Sequence, residues 1–75
     1  MIKQSINIDI MEYMVWVVEL VADKFFDGNK TATFNVLKET GIWDAYIQNY
    51  DMTHSLGANT IINEIHDILT IKEVI

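Results

Sequence analysis

The stretch from Ile10 to Phe26 contains neither proline nor glycine and is too apolar for an ordinary surface helix. At 100° per residue, Met14, Val17, Val18, Val21 and Phe25 share one face, and Met11, Val15, Ala22 and Phe26 widen it to well over half the circumference. A helix of this kind needs more than one packing partner. Asp9, followed three residues on by Glu12, resembles a capping box with Ile8 and Tyr13 as its hydrophobic staple, so the helix is predicted to begin at Ile10. Glu12, Glu19 and Asp23 share the remaining narrow stripe with Trp16, which puts a large aromatic in a line of carboxylates. Trp16 then either packs under a neighbouring segment or, since Trp is enriched at binding hot spots, forms a partner or self-association contact.

Asp27-Gly28 punctuates the end of this helix, with Gly28 suited to the left-handed cap position. Asn29 or Thr31 can cap a short second helix with Ala32, Phe34 and Leu37 pointing inward, ending at a second cap glycine, Gly41. From Ile42 a helical spacing aligns Trp43, Tyr46, Ile47 and Tyr50 into an aromatic stripe that ends near Asp51. Such a stripe is core, or a half-exposed interface that uses the tyrosine hydroxyls. Asp51 to Gly57 reads as a connection, and Ile61, Ile62, Ile65, Ile68 and Leu69 define a fourth amphipathic helix with Asn63, Asp67 and Thr70 opposite.

Two ends stay open. Residues 1–8 form an arm with Ile6 and Ile8 alternating with Ser5 and Asn7; the tail 70–75 is β-branched and either extends the last helix or pairs with that arm. No repeat or linker divides the chain, so residues 1–75 read as one all-α domain of about four short helices. At 75 residues it is small enough that a stability of roughly 4 to 11 kcal/mol is the most to expect.

Charge and composition exclude several function classes. Five lysines, no arginine and eleven carboxylates give a net charge of −6, which repels phosphate backbones, so nucleic-acid binding is disfavoured. A recognition helix carries Arg or Lys, whereas Trp43 to Tyr50 has neither and includes Asp44, so a DNA-binding regulator is the weakest of the binding readings. No cysteine is present, which removes disulfides, thiolate metal sites and cysteine nucleophiles and fits a reducing cytoplasmic setting. The most apolar run, Met14 to Ala22, is interrupted by Glu19 and too short to span a bilayer, and the polar residues after Lys3 do not fit a signal peptide.

Reactive constellations are sparse. Asp51-Met52-Thr53-His54-Ser55 holds the residue types of a hydrolase triad, but immediate neighbours do not reach triad geometry. The structural reading is that Ser55 or Thr53 caps the last helix and His54 bonds Asp51 or a backbone carbonyl, with a surface recognition role for His54 as the alternative. His54 and His66 lack a ligand partner at i+4, and three scattered glycines make no phosphate loop. Neither a metal nor a cofactor is expected, and the chain is not expected to be an enzyme.

The run from Tyr46 to Leu69, with Asn49-Tyr50-Asp51 followed by His54 and an Ile-rich helix, resembles a family of short bacterial proteins known only as a domain of unknown function. Upstream, Glu19 within an apolar helix and then Leu37, Lys38 and Gly41 extend the likeness over about residues 10 to 70; Met52-Thr53 departs from it, standing where a Leu precedes the His. The resemblance implies a bacterial origin, and a gene neighbour resembling an ADP-ribosyltransferase for some members, an arrangement that suits an inhibitory or antitoxin-like partner. The residues independently favour a protein-protein interaction module, in which Trp16, Glu12, Glu19 and Asp23 bind a partner and Tyr46, Tyr50, Asp51 and His54 form a second recognition surface. A homodimer is expected, with an operon-encoded protein as the further partner and a self-associating structural module as the alternative function.

Overall fold

The computed structural model describes residues 8–75. In chain order these form α1 (Ile8–Phe25), α2 (Lys30–Thr40), α3 (Ile42–Gln48), α4 (Tyr50–Thr53) and α5 (Ala58–Ile71). The all-α expectation holds, with one more helix than the spacing suggested. The arm at residues 1–7 lies outside the described residues.

Ile8 and Asp9 are already helical, so the helix does not begin at Ile10 after an Asp9 cap. Asp9 in the first turn still meets the positive end of the helix dipole, and the exposed apolar spacing Ile8, Met11, Val15 is helical from Ile8 onward. The far end of α1 is closed by two successive left-handed residues, Asp27 at φ 58° and Gly28 at φ 82°. The Gly28 amide donates to the Ala22 carbonyl at 2.9 Å, and Asn29 then caps α2 by accepting from the Ala32 amide at 3.0 Å. Gly41, also at φ 82°, ends α2 and starts α3 in one residue: its amide donates to the Lys38 carbonyl and its own carbonyl accepts from the Ala45 amide.

The expected single helix from Ile42 to Asp51 is broken at Asn49. The Asn49 side-chain amide donates to the Ala45 carbonyl at 2.8 Å, the local competition with backbone bonding that makes Asn a poor helix-interior residue. The chain resumes as the single turn α4. Neither Ser55 nor Thr53 caps α5: Gly57 is the cap residue, without a side-chain bond, and the Ser55 hydroxyl donates back to the Met52 carbonyl. The tail adds no strand among the described residues. It ends α5 with Glu73 at φ 63° and a Val74 amide donating to the Leu69 carbonyl at 2.8 Å, a six-residue closure in which Leu69 and Val74 come together.

The core is built from Met14, Val17 and Val21 of α1, Leu37 of α2, Ile42 and Tyr46 of α3, and Ile61, Ile65 and Leu69 of α5. Each large aliphatic there is worth about 1.5 to 3 kcal/mol, a sizeable share of a domain this small. On α2 the inward residues are Thr33 and Leu37, one turn apart; Ala32 is half-buried and Phe34 points outward, against expectation. Thr33 can be buried because its hydroxyl donates to the Asn29 carbonyl at 2.8 Å, which removes the cost of an unpaired polar group. With α1 packed against α2, α3 and α5, its over-wide apolar face has several partners, as its breadth requires. Among the described residues no helix is long and apolar enough to cross a membrane.

Candidate protein-binding surface

Even three neighbouring helices leave part of α1 uncovered. Ile8 is 73% exposed, Val15 53% and Trp16 38%, and Met11 joins them at the surface. The short turn through Asp27 and Gly28 returns α2 beside Glu19, where Lys30 Nζ lies 3.1 Å from Glu19 Oε2. Between α1 and the α2–α3 corner this leaves an apolar groove of about 380 Å³, lined by Val15 and Val18 on one side and Phe34 and Trp43 on the other, with Glu19, Lys30 and Thr31 at its rim. Phe34 meets Trp43 edge to face, ring centroids 4.9 Å apart, so the outward turn of Phe34 supplies a wall of the groove. The rim pair is exposed at both ends and ties α1 to α2 by at most about 1 kcal/mol.

Charges around the groove are of both signs, with Glu19 and Lys30 paired at its rim. Asp9, Glu12, Glu19 and Asp23 lie along α1, whose only cation is Lys24 in the last turn. On α3, Asp44 follows Trp43 and is approached by Lys38 at 3.8 Å. Of the four residues assigned to a partner surface from the sequence, Glu19 alone lines the groove. Asp23 lines a smaller depression with Leu20, Lys24, Ala58, Asn59 and Ile62, and Glu12 is exposed. Trp16 sits on the other side of the carboxylate stripe, tilted against Tyr13 at 5.9 Å.

From Trp16 an aromatic run leads to the second predicted surface. Tyr13 meets Tyr50 edge-on at 5.4 Å, and Tyr50 stacks on His54 at 4.4 Å with an interplanar angle of 17°. Two stretches assigned separately from the sequence are therefore joined through Tyr13. His54 Nδ1 lies 2.6 Å from the Tyr50 carbonyl; because a carbonyl only accepts, Nδ1 carries the proton in this bond. Asp51 is exposed on the same turn. Tyr46 takes its core alternative: it is buried, and its hydroxyl donates to the Glu64 carboxylate across α3 and α5.

Tyr13 and Tyr46 thus both feel the charge of Glu64, and Tyr50 packs against Tyr13. Burial, the bond to Glu64 and the charge of Glu64 hold the Tyr46 phenol well above the usual tyrosine range. Burial also raises Tyr13, with Glu64 and Tyr50 adding to the rise and the Thr53 hydroxyl opposing it. Tyr13 Oη and Thr53 Oγ1 are the buried side-chain oxygens, among the described residues, without a partner in full hydrogen-bond geometry.

For nucleophilic chemistry the arrangement is unsuited, since the Ser55 hydroxyl and the His54 imidazole each bond a backbone carbonyl and not one another. No three metal-ligating side chains converge among the described residues. Of the groove residues, the sequence reading put Val15 and Val18 on the over-wide apolar face of the first helix, pointed Phe34 inward and left Trp43 between core and interface. The usable signal was the excess width of the α1 face, which indicated surplus apolar surface without saying which side would remain open.

A family model described as "Protein of unknown function (DUF3791)" matches residues 12–72, all five helices apart from the first turn of α1. No curated protein and no solved structure matches the chain.

Proposed function

Given that the chain belongs to the bacterial DUF3791 family, whose description assigns no activity, we propose that it is a protein-protein interaction module working through the exposed half of α1. The observation that carries this reading is the groove: apolar side chains of α1, α2 and α3 stay uncovered side by side. Interfaces concentrate aromatics at their centre and charge at their rim, the pattern of Phe34 and Trp43 flanked by Glu19 and Lys30. In this reading the chain is a non-catalytic cytoplasmic protein that inhibits or neutralises the product of a neighbouring gene, an antitoxin-like role. The turn with exposed Asp51 and His54 and half-buried Tyr50, within the Asn-Tyr-Asp and His pattern, gives that partner a second contact region.

Reconstitution of the complex from purified components tests this. The neighbouring gene product binds wild type, and Val15→Glu abolishes binding while leaving the fold intact, because Val15 is half exposed. A complex indifferent to Val15→Glu would place the surface elsewhere.

Self-association through the same face is opposed by charge, since two copies would bring together carboxylates of a chain with net charge −6. Light scattering over a dilution series gives the same mass for wild type and Val15→Glu. A wild-type dimer that the substitution converts to monomer would replace the proposal with the self-associating module.

A further inference from the structure

We infer that residues 50–56, which are α4 and the turn after it, form a latch that opens as one body from the side of α1 while the rest of the fold stays intact. Three observations carry this. The segment is bonded to itself: the Met52 and Thr53 amides donate to the Asn49 carbonyl, the His54 amide and Nδ1 to the Tyr50 carbonyl, the Ser55 hydroxyl to the Met52 carbonyl and the Leu56 amide to the Thr53 carbonyl. These bonds stay within residues 49–56, so none has to break when the segment moves. His54 is also stacked on Tyr50 at 4.4 Å inside the same turn.

Both ends of the segment are breaks. Asn49 interrupts the helix on one side, and on the other Gly57 is extended and starts α5 without a side-chain cap. Between them α4 contributes no fully buried residue, and its hold on the fold comes from half-buried Tyr50, edge-on to Tyr13 at 5.4 Å, and half-buried Leu56. An element with few buried apolar contacts and self-contained bonding belongs to the part of a fold that opens first.

Closure also leaves polar groups poorly served. Tyr13 Oη and Thr53 Oγ1 are buried without a partner in full hydrogen-bond geometry, and even a bond between the two leaves one hydroxyl proton without an acceptor. Opening hydrates both hydroxyls and so offsets part of the lost packing. It also parts Tyr50 from Tyr13 and carries Asp51 and His54 away from α1, so the second contact region has its described form only with the latch shut. The latch does not depend on that region binding a partner.

Hydrogen exchange of the full chain, followed amide by amide by NMR over a series of low urea concentrations, tests this. The Met52, Thr53, His54 and Leu56 amides share one opening that is more frequent than that of Val17 and Ile65 and nearly independent of urea, because little surface is exposed; the Val17 and Ile65 amides show the steep urea dependence of global unfolding. Exchange of the four amides at the core rate with the core urea dependence overturns the latch, as does exchange of each of the four with its own opening, which is fraying. Tyr13→Phe combined with Thr53→Val removes the underserved hydroxyls and raises the protection of the four amides about tenfold. Unchanged or lower protection in that variant overturns the role given to the hydroxyl pair.

Discussion

Phe34 of α2 meets Trp43 of α3 edge to face, with ring centroids 4.9 Å apart and planes at 80°. Both rings belong to the groove wall, so one contact braces the α2–α3 corner and shapes the surface beside α1. A double-mutant cycle of Phe34→Ala and Trp43→Ala, read by urea unfolding, is expected to give a coupling energy of about 0.5 to 1.5 kcal/mol. Additive losses would mean the rings are neighbours without mutual stabilisation.

Alkaline pH should undo the tyrosine cluster. Tyr13 and Tyr46 are both held above their ordinary value by burial and by the charge of Glu64. An acid whose folded pKa exceeds its unfolded value contributes stability fully below the unfolded value, about 10 for tyrosine, and loses it as pH rises toward the folded one. Stability is therefore flat with respect to these groups up to about pH 10 and falls above it by up to about 1.4 kcal/mol per pH unit for each phenol. Tyr46→Phe makes that fall shallower; an unchanged slope would exclude Tyr46 as its source. At neutral pH the same substitution costs about 0.5 to 1.5 kcal/mol through the lost bond to Glu64.

The helix ends give opposite predictions at residues of similar type. Asn29→Ala removes the α2 cap bond and costs about 1 kcal/mol, whereas Ser55→Ala, whose hydroxyl caps nothing, stays within about 0.5 kcal/mol of wild type. Glu73→Gly relieves a left-handed residue with a side chain and stabilises by about 0.5 to 1 kcal/mol, while Gly41→Ala, at φ 82°, destabilises by about 1 kcal/mol. Thermal unfolding resolves each, since about 1 kcal/mol moves the midpoint of a domain this size by roughly 4 to 8 °C. Equal shifts for Asn29→Ala and Ser55→Ala would contradict the assigned caps.

What the sequence revealed follows the range of the forces involved. Gly28, Gly41 and Asn29 were legible because a left-handed residue or a cap bond is decided within a few residues. So was the apolar face of α5, whose buried Ile61, Ile65 and Leu69 repeat at helical spacing. Phe34 was misplaced because periodicity on α2 is ambiguous until one knows that Thr33 satisfies its own hydroxyl and can go inside. The break at Asn49 turned on a local bond to Ala45 that competes with a good helical pattern. The link from Tyr46 to Glu64 spans α3 and α5, and the groove needs α1, α2 and α3 together; no local pattern encodes either. Trp16, which the sequence left between a packed and a partner-facing role, is part exposed and leads by way of Tyr13 toward Tyr50 and His54 instead of into the groove.

The most direct test of the α1 surface is photo-crosslinking inside the cells that produce the protein, with a photoreactive residue at Val15 and, separately, at Asn63 on the exposed face of α5. The account predicts a discrete adduct with one different polypeptide from Val15, identified by mass spectrometry, and none from Asn63. No adduct at Val15, or the same adduct from both positions, would contradict it.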